Sequence, residues 1–372
     1  MKRMPLKVLP QENPTEILLG DGLLFSEEAV SDIKRLSSRC AVFCDETVAP
    51  LLGEKWTAHL EKNGLDAALF TFPSGEAEKS RERKAELEDL LFSQKFGRDT
   101  CFIALGGGVT TDLIGYLAST YCRGVPLVLA PTTLLGMVDA AIGGKTAVNT
   151  RFGKNLVGAF YLPKRVLIDL KTLSSLPASE WTNGLGEIVK YALIRSPQLF
   201  ELLKNWTPDD PVYLERIIHS CVLIKAHAVE TDYEEKTGYR RILNFGHTIA
   251  HALERLENYR LPHGEAVAIG MLVESDLSCR LGHLSKQECE KVHALIRSFP
   301  FSLRVSDAVT KEAMLSAMAM DKKAEKSAPR FVLLEKIGSC VPFDGKYCAS
   351  VPSEKLAASL DWMLEHCSGG SR

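Results

Sequence analysis

The sequence predicts an α/β chain, with a doubly wound, mostly parallel sheet in the first half and a mainly helical second half. Three observations carry that expectation. Short apolar runs rich in β-branched and aromatic residues alternate with amphipathic stretches as far as about residue 169, the pattern of strands joined by crossover helices. One of these runs, Cys101–Leu105, passes straight into Gly106-Gly107-Gly108 and then into a second apolar-periodic stretch, as a strand does when it turns into a helix. Beyond Leu176-Pro177-Ala178 the β-branched runs thin out and helical periodicity takes over.

In chain order, strands are expected at Glu16–Leu19, Arg39–Cys44, Ala67–Phe72, Cys101–Leu105, Leu127–Ala130 and Val166–Asp169. Helices are expected at Ser26–Leu36, Thr47–Asn63, Lys79–Lys95 and Thr111–Thr120. In the second half the helical period covers Glu187–Leu193, Val212–Glu230, Ile242–Leu256 and Glu265–Arg280, and reappears up to Phe299. A short strand or two is expected at Arg330–Leu334, then a final helix ending in a loose tail, Cys367–Arg372. The division between an α/β domain (1–178) and a helical domain (179–372) falls near residue 178.

At 372 residues the chain is long enough for two such cores. Its formal net charge of −2 provides no general attraction for nucleic acid or an anionic membrane, so neither is expected as a partner. Any anion must be gathered by local lysines and arginines. The start, Met1 to Lys7, has charge but no apolar core of signal-peptide length, and no run approaches a membrane span, so a cytoplasmic location is expected. The ten cysteines contain no C-x-x-C pair and read as small buried hydrophobes.

The densest polar chemistry lies between Leu105 and Asp169. After the triple glycine come Pro131-Thr132-Thr133, Val138-Asp139, Gly143-Gly144-Lys145-Thr146 and Gly153-Lys154-Asn155. Glycine turns beside lysines, threonines and an asparagine suit a phosphorylated ligand or nucleotide. Each piece alone is equally an ordinary turn. The triple glycine does not follow the dinucleotide frame, because Thr111 stands at the third glycine position and no acid follows about 20 residues on. Gly144-Lys145-Thr146 lacks the upstream glycine of a Walker loop. Polar clusters also follow two earlier strands, at Asp45-Glu46-Thr47 and Pro73-Ser74-Gly75-Glu76. In parallel sheets ligands bind at those carboxyl ends.

The second half carries a histidine cluster. His247 and His251 are four apart on one helical face, and His263 follows where a helix begins. Spacing alone makes all three candidates for a Zn²⁺-like ion; polar surface or satisfied core histidines are the other reading. Glu187, flanked by Gly186 and apolar residues with Lys190 one turn on, fits a metal carboxylate or a simple i,i+3 ion pair.

Taken together, these blocks resemble the 3-dehydroquinate synthase family. The resemblance rests on Leu105-Gly106-Gly107-Gly108-Val109-Thr110-Thr111-Asp112, Pro131-Thr132-Thr133, Val138-Asp139, Gly143-Gly144-Lys145-Thr146, Gly153-Lys154-Asn155, Glu187-Ile188-Val189-Lys190, Asn244-Phe245-Gly246-His247 and His263-Gly264-Glu265-Ala266-Val267. They stand in the family's order across about residues 45 to 340. The resemblance implies an NAD-binding α/β domain, a helical metal domain and a homodimer. It implies Zn²⁺ (or Co²⁺) held by Glu187, His247 and His263, with His251 touching substrate instead.

The implied reaction converts 3-deoxy-D-arabino-heptulosonate 7-phosphate to 3-dehydroquinate and phosphate, the second step of the shikimate pathway. Transient oxidation by NAD⁺ acidifies a neighbouring hydrogen, phosphate leaves by β-elimination, the hydride returns, and an internal aldol reaction closes the ring. Under that resemblance Asp139, Lys145, Lys190, Glu235 (or its neighbour Glu234) and His251 are the catalytic residues. Phosphate falls to Lys145, Asn155, Lys322 and Lys323, with Arg123 reaching the phosphate site of a second subunit. Lys225, Arg240 and Asn244 clamp the substrate carboxylate.

NAD falls first to Asp45, Thr47, Ser74, Gly75, Glu76, Ala77, Glu78 and Lys79. It falls also to Gly107 through Asp112, to Thr132 and Thr133, to Lys145 and Lys154, and to Thr172, Leu173, Ser174 and Ser175. The chain departs from the family's habit at Thr111, usually glycine, at Ala140-Ala141, usually serines, and at Gly186, usually alanine. Thr111 is expected to bring a Cβ near the pyrophosphate.

Overall fold

A computed structural model describes residues 14–206, 210–319 and 329–368. The chain forms two compact units. One comprises the chain up to Thr132 together with Gly144–Ser175; the other comprises Thr133–Gly143 together with the chain from Leu176 onward.

The first unit runs β1 (Glu16–Gly20), α1 (Glu27–Leu36), β2 (Arg39–Asp45), α2 (Glu54–Lys62), β3 (Asp66–Phe72), α3 (Arg81–Ser93), β4 (Cys101–Gly106) and α4 (Gly108–Thr120). It continues with β5 (Leu127–Pro131), β6 (Lys145–Thr150), β7 (Gly153–Phe160) and β8 (Arg165–Asp169). Six strands form one sheet in the order β1-β8-β5-β4-β2-β3, and every pairing in it is parallel. Each predicted strand is present, to within a residue or two. All of β4 and β5 is buried, which is why these runs are apolar throughout instead of alternating.

On one face Val42, Ile103, Leu105, Val128 and Leu167 pack with Ile33, Trp56 and Leu60. Buried Trp56 keeps its polar edge satisfied by donating Nε1–H to the Leu24 carbonyl at 2.7 Å. On the other face Phe43 stacks on Phe70 and meets Phe102 edge-on. Helix starts follow local chemistry: Ser26 and Ser80 cap α1 and α3, accepting from the N–H groups of Ala29 and Arg83.

Two features differ from the expectations. The stretch Thr47–Asn63 is not one helix, since a π turn at Ala49–Gly53 precedes α2. Residues 145–160 form an antiparallel hairpin of β6 and β7, where only glycine turns were read. A Cβ on Gly158 would lie 1.9 Å from the Thr146 carbonyl, so the two backbones approach as only glycine allows.

The second unit is helical. It holds α5 (Ala178–Arg195), α6 (Pro197–Lys204), α7 (Pro211–Thr231), α8 (His247–Leu256), α9 (His263–Arg280), α10 (Lys286–Ser298), α11 (Lys311–Ala319) and α12 (Ser353–Cys367). Strands β9 (Leu334–Lys336) and β10 (Ser339–Cys340) form a small antiparallel pair, a few residues beyond the expected strand. Helix α9 is the hub, packing on α5, α8, α10 and α12. It is accordingly buried almost all round, as an unstriped apolar helix should be. The predicted helix Ile242–Leu256 is broken: a 3₁₀ turn, Tyr239–Asn244, ends before Gly246, whose φ of +81° cannot continue a helix. Apolar periodicity runs across the break, so periodicity alone missed it. All ten cysteines are free thiols, and among the described residues no helix is long and apolar enough to cross a membrane.

Candidate active site

In the second unit, Glu187 of α5, His247 at the start of α8 and His263 at the start of α9 converge, with their donor atoms all within 4.8 Å of one another. Glu187 Oε1 lies 3.4 Å from His247 Nε2 and 3.2 Å from His263 Nε2. The other ring nitrogens are engaged: His263 Nδ1 faces Glu254 Oε1 at 3.3 Å, and His247 Nδ1 faces the Phe245 carbonyl at 3.1 Å. With a metal bound, the oxygens at both Nδ1 atoms would keep the protons there and leave both Nε2 lone pairs for the ion; without one, both Nε2 atoms lie within reach of Glu187 Oε1. Two imidazoles and an anion arranged this way, with outer oxygens orienting the rings, are a fitting donor set for Zn²⁺ or Co²⁺.

Close backbone contacts make the convergence possible. A Cβ on Gly186 would stand 2.8 Å from the Gly264 Cα, so α5 and α9 touch beside the first and third ligands. Gly186→Ala is therefore expected to force them apart, costing about 1–3 kcal/mol as overpacked sites do and loosening the metal. Thermal melts with and without Zn²⁺ check this; an unchanged midpoint in both would show that the contact tolerates a methyl group.

The charges around this centre are paired. Lys190 donates to Glu187 Oε2 in a fully buried ion pair. Burial opposes ionisation of Glu187, but Lys190 and His247 hold its carboxyl well below the usual range. Burial likewise works against a charge on Asp139, yet Lys225 and Lys190 bring it down to about 2. Lys225 Nζ and the Tyr191 hydroxyl both donate to Asp139 Oδ1, at 2.6 and 2.5 Å. Without a metal, burial and Lys190 push His247 down to about 4. His263, despite burial, is drawn up to about 10 by Glu187 and Glu254.

Arg240 is buried, donating from Nη1 to the Tyr233 carbonyl at 2.6 Å and from Nη2 to Gly143 at 3.3 Å. Each of those nitrogens carries a second N–H that can serve a ligand. Of the two glutamates weighed from sequence, Glu235 is half-buried and its charge partly offsets the burial that lowers the Arg240 pKa, whereas Glu234 is exposed and paired with Lys236. Asn244 and His251 are half-buried; the His251 ring stands edge-on to His247, centroids 5.6 Å apart, outside the three-donor group. Lys322 and Lys323 lie outside the described residues. Sequence reasoning missed Tyr191 and Glu254. Glu254 carried a signal, as an acid seven residues after His247 on the same helical face.

In the first unit, Asp45, Ser74–Lys79 and Gly107–Asp112, expected from sequence to serve the cofactor, lie at or just beyond the ends of β2, β3 and β4. Connections leave β2 toward β3 and β4 toward β5, in opposite directions, so the switch point lies between β2 and β4. Asp45 ends β2, and Gly106 ends β4 with Gly107 as the N-cap of α4. That glycine entry leaves the first N–H groups of α4 for an anion and fits a dinucleotide pyrophosphate. Asp45 Oδ1 accepts from the N–H groups of Thr47 and Val48 and from the Ser74 hydroxyl, and Thr47 bonds to Ser74 at 2.7 Å.

Beyond Gly75, whose φ is +115°, lies a 3₁₀ turn, Glu76–Glu78, and then Lys79. Lys79 Nζ bridges Asp112 and Asn155 at 2.5 and 2.6 Å. Glu76 accepts from Asn149, and Glu78 pairs with Arg83. Lys145 and Lys154 are exposed on the hairpin, Thr132 is buried beside Gly106, and Arg123 is exposed with φ +69°. Thr111 is buried, with its hydroxyl turned back onto the Gly108 carbonyl.

In the turn after β8, Leu173 is core, while the hydroxyls of Thr172, Ser174 and Ser175 donate to the carbonyls of Asp169, Lys171 and Thr172. Thr133 falls in the second unit, where its hydroxyl accepts from Gly136 N–H.

Comparison with known proteins agrees with this chemistry. The family described as 3-dehydroquinate synthase N-terminal matches residues 69–183, and that described as 3-dehydroquinate synthase C-terminal matches 184–324. A 3-dehydroquinate synthase from Nitrosomonas europaea is 38% identical over 361 residues, 95% of each chain. A 2-epi-5-epi-valiolone synthase from Streptomyces hygroscopicus, solved with NAD⁺ and Zn²⁺, superposes with a TM-score of 0.86 at 29% identity, covering 98% of this chain and 100% of that one. A 2-deoxy-scyllo-inosose synthase, solved with carbaglucose-6-phosphate, NAD⁺ and Co²⁺, shares the fold at 24% identity, with a TM-score of 0.81 and coverage of 93% and 95%.

Proposed function

This chain belongs to the 3-dehydroquinate synthase family, and we propose that it converts 3-deoxy-D-arabino-heptulosonate 7-phosphate to 3-dehydroquinate and phosphate. The observation that carries the reading is the convergence of Glu187, His247 and His263 beside the charged group Lys190, Asp139 and Lys225. Glu187, His247 and His263 hold Zn²⁺ or Co²⁺. Asp45, the Ser74–Lys79 loop and the glycine entry to α4 hold NAD⁺. When bound, the metal supplies Lewis acidity to substrate oxygens and the nicotinamide supplies a transient oxidation with no net consumption.

The remaining work falls to side chains. Asp139 stays ionised at neutral pH, since its carboxyl sits at about 2, and so accepts hydrogen bonds from substrate hydroxyls. Lys190 steadies Glu187 through their ion pair. His251 and Glu235 exchange protons with the substrate. Lys225, Arg240 and Asn244 receive its carboxylate. Asn155, whose Oδ1 accepts from Lys79, presents its amide N–H groups to the phosphate together with Lys145. Arg123 serves the phosphate of a second subunit in a homodimer, and the enzyme works in the cytoplasm.

A substrate panel tests this. Turnover is expected with the seven-carbon keto acid phosphate and not with sedoheptulose 7-phosphate or glucose 6-phosphate. Preference for either neutral sugar phosphate would assign the chain to another cyclase activity, and steady NADH accumulation with glycerol would assign it to polyol oxidation.

A further inference from the structure

We propose that Glu274 is a positioning residue for the metal centre: from α9 it supplies the N-terminal cap that α8 lacks, and so sets where His247 stands. The proposal rests on the reading of Glu187, His247 and His263 as metal ligands. The first N–H groups of any helix need acceptors, commonly supplied by a Ser, Thr, Asp or Asn at the N-cap. Helix α8 has Gly246 there, with no side-chain cap.

Crowding explains the glycine. A Cβ on Gly246 would stand 2.9 Å from Met271 Cγ and 3.0 Å from the Val267 carbonyl, and its φ of +81° disfavours any other residue. From the other side, a Cβ on Gly270 would lie 2.0 Å from the Gly246 carbonyl. The backbones of α8 and α9 are therefore in contact, leaving no space for a local capping side chain.

The missing acceptor comes from one turn further along α9. Glu274, fully buried, accepts the Gly246 N–H through Oε2 at 2.8 Å. The backbones of Thr248 and Ile249 also bear on this carboxyl. Its Oε1 makes no hydrogen bond of normal geometry among the described residues. Burying a carboxyl this deeply is costly, so its presence calls for a compensating role, and its firm contact is with the residue just before a metal ligand. The Phe245 carbonyl fixes the His247 ring; Glu274 fixes the backbone beneath it. Burial pushes the Glu274 carboxyl well above the usual range, which makes glutamine a close substitute.

The test is Co²⁺ titration of the metal-stripped full chain, read from the cobalt visible absorption, with a melt of each apoprotein. Glu274→Gln keeps an acceptor oxygen and should bind within about threefold of the parent, whereas Glu274→Met keeps the bulk without the acceptor and should bind about 10–100-fold more weakly, with an altered spectrum. If Glu274→Met does not fold, Glu274→Asp, one methylene too short, takes its place with the same weakening expected. Parental affinity and spectrum in that variant would overturn the proposal, as would equal losses with Gln and Met. A parent chain that binds no Co²⁺ would overturn the ligand reading itself, whereas parental binding by both parent and variant would sink only the role of Glu274.

Discussion

Replacing Glu187 with glutamine is expected to remove the metal and, with it, turnover. The carboxylate is fully buried and faces both histidines from one oxygen while Lys190 donates to the other. Glutamine keeps the shape and loses the charge that both interactions use. Zn²⁺ affinity should fall by more than about 100-fold, beyond what a change to an outer partner costs. The lost anion also leaves the Lys190 ammonium buried without its counter-charge, so the apoprotein should lose about 3–5 kcal/mol, as broken buried pairs do. Adding Lys190→Met should restore much of that stability without restoring the metal. Metal analysis and melting of the single and double variants check both parts; full Zn²⁺ occupancy in Glu187→Gln would remove the carboxylate from the ligand set.

Lys145→Ala should separate chemistry from folding in the opposite way. Lys145 is exposed at the start of β6, so its loss should leave stability within about 0.5 kcal/mol, the usual range for surface changes. As the proposed cation for the leaving phosphate it should still matter, lowering kcat/KM by about 10²–10³. Near-parental turnover would remove it from the phosphate site.

The parallel sheet was readable because β4 and β5 are buried on both faces and their sequences are apolar without interruption. The β6–β7 hairpin was not, because Asn149, Gly153 and Asn155 are the residue types of turns, and its close pairing depends on Gly158 meeting the Thr146 carbonyl. In the candidate metal centre Glu187 combines the features behind both sequence readings: it pairs with Lys190 and also faces the histidines. Spacing grouped His251 with His247, since i and i+4 share a face, but a shared face does not decide which ring points at a third element. Tyr191 reaches Asp139 across a separation of 52 residues, and such a tertiary pairing leaves no local pattern, whereas Glu254 shares a helical face with His247 and so left one.

The measurement that bears most directly on the proposed activity is phosphate release from 3-deoxy-D-arabino-heptulosonate 7-phosphate by the purified chain, with and without NAD⁺, and before and after chelation. Release that requires both NAD⁺ and metal, with no net NADH formed, is the predicted result. Release indifferent to either cofactor, or no release from the fully loaded protein, would contradict it.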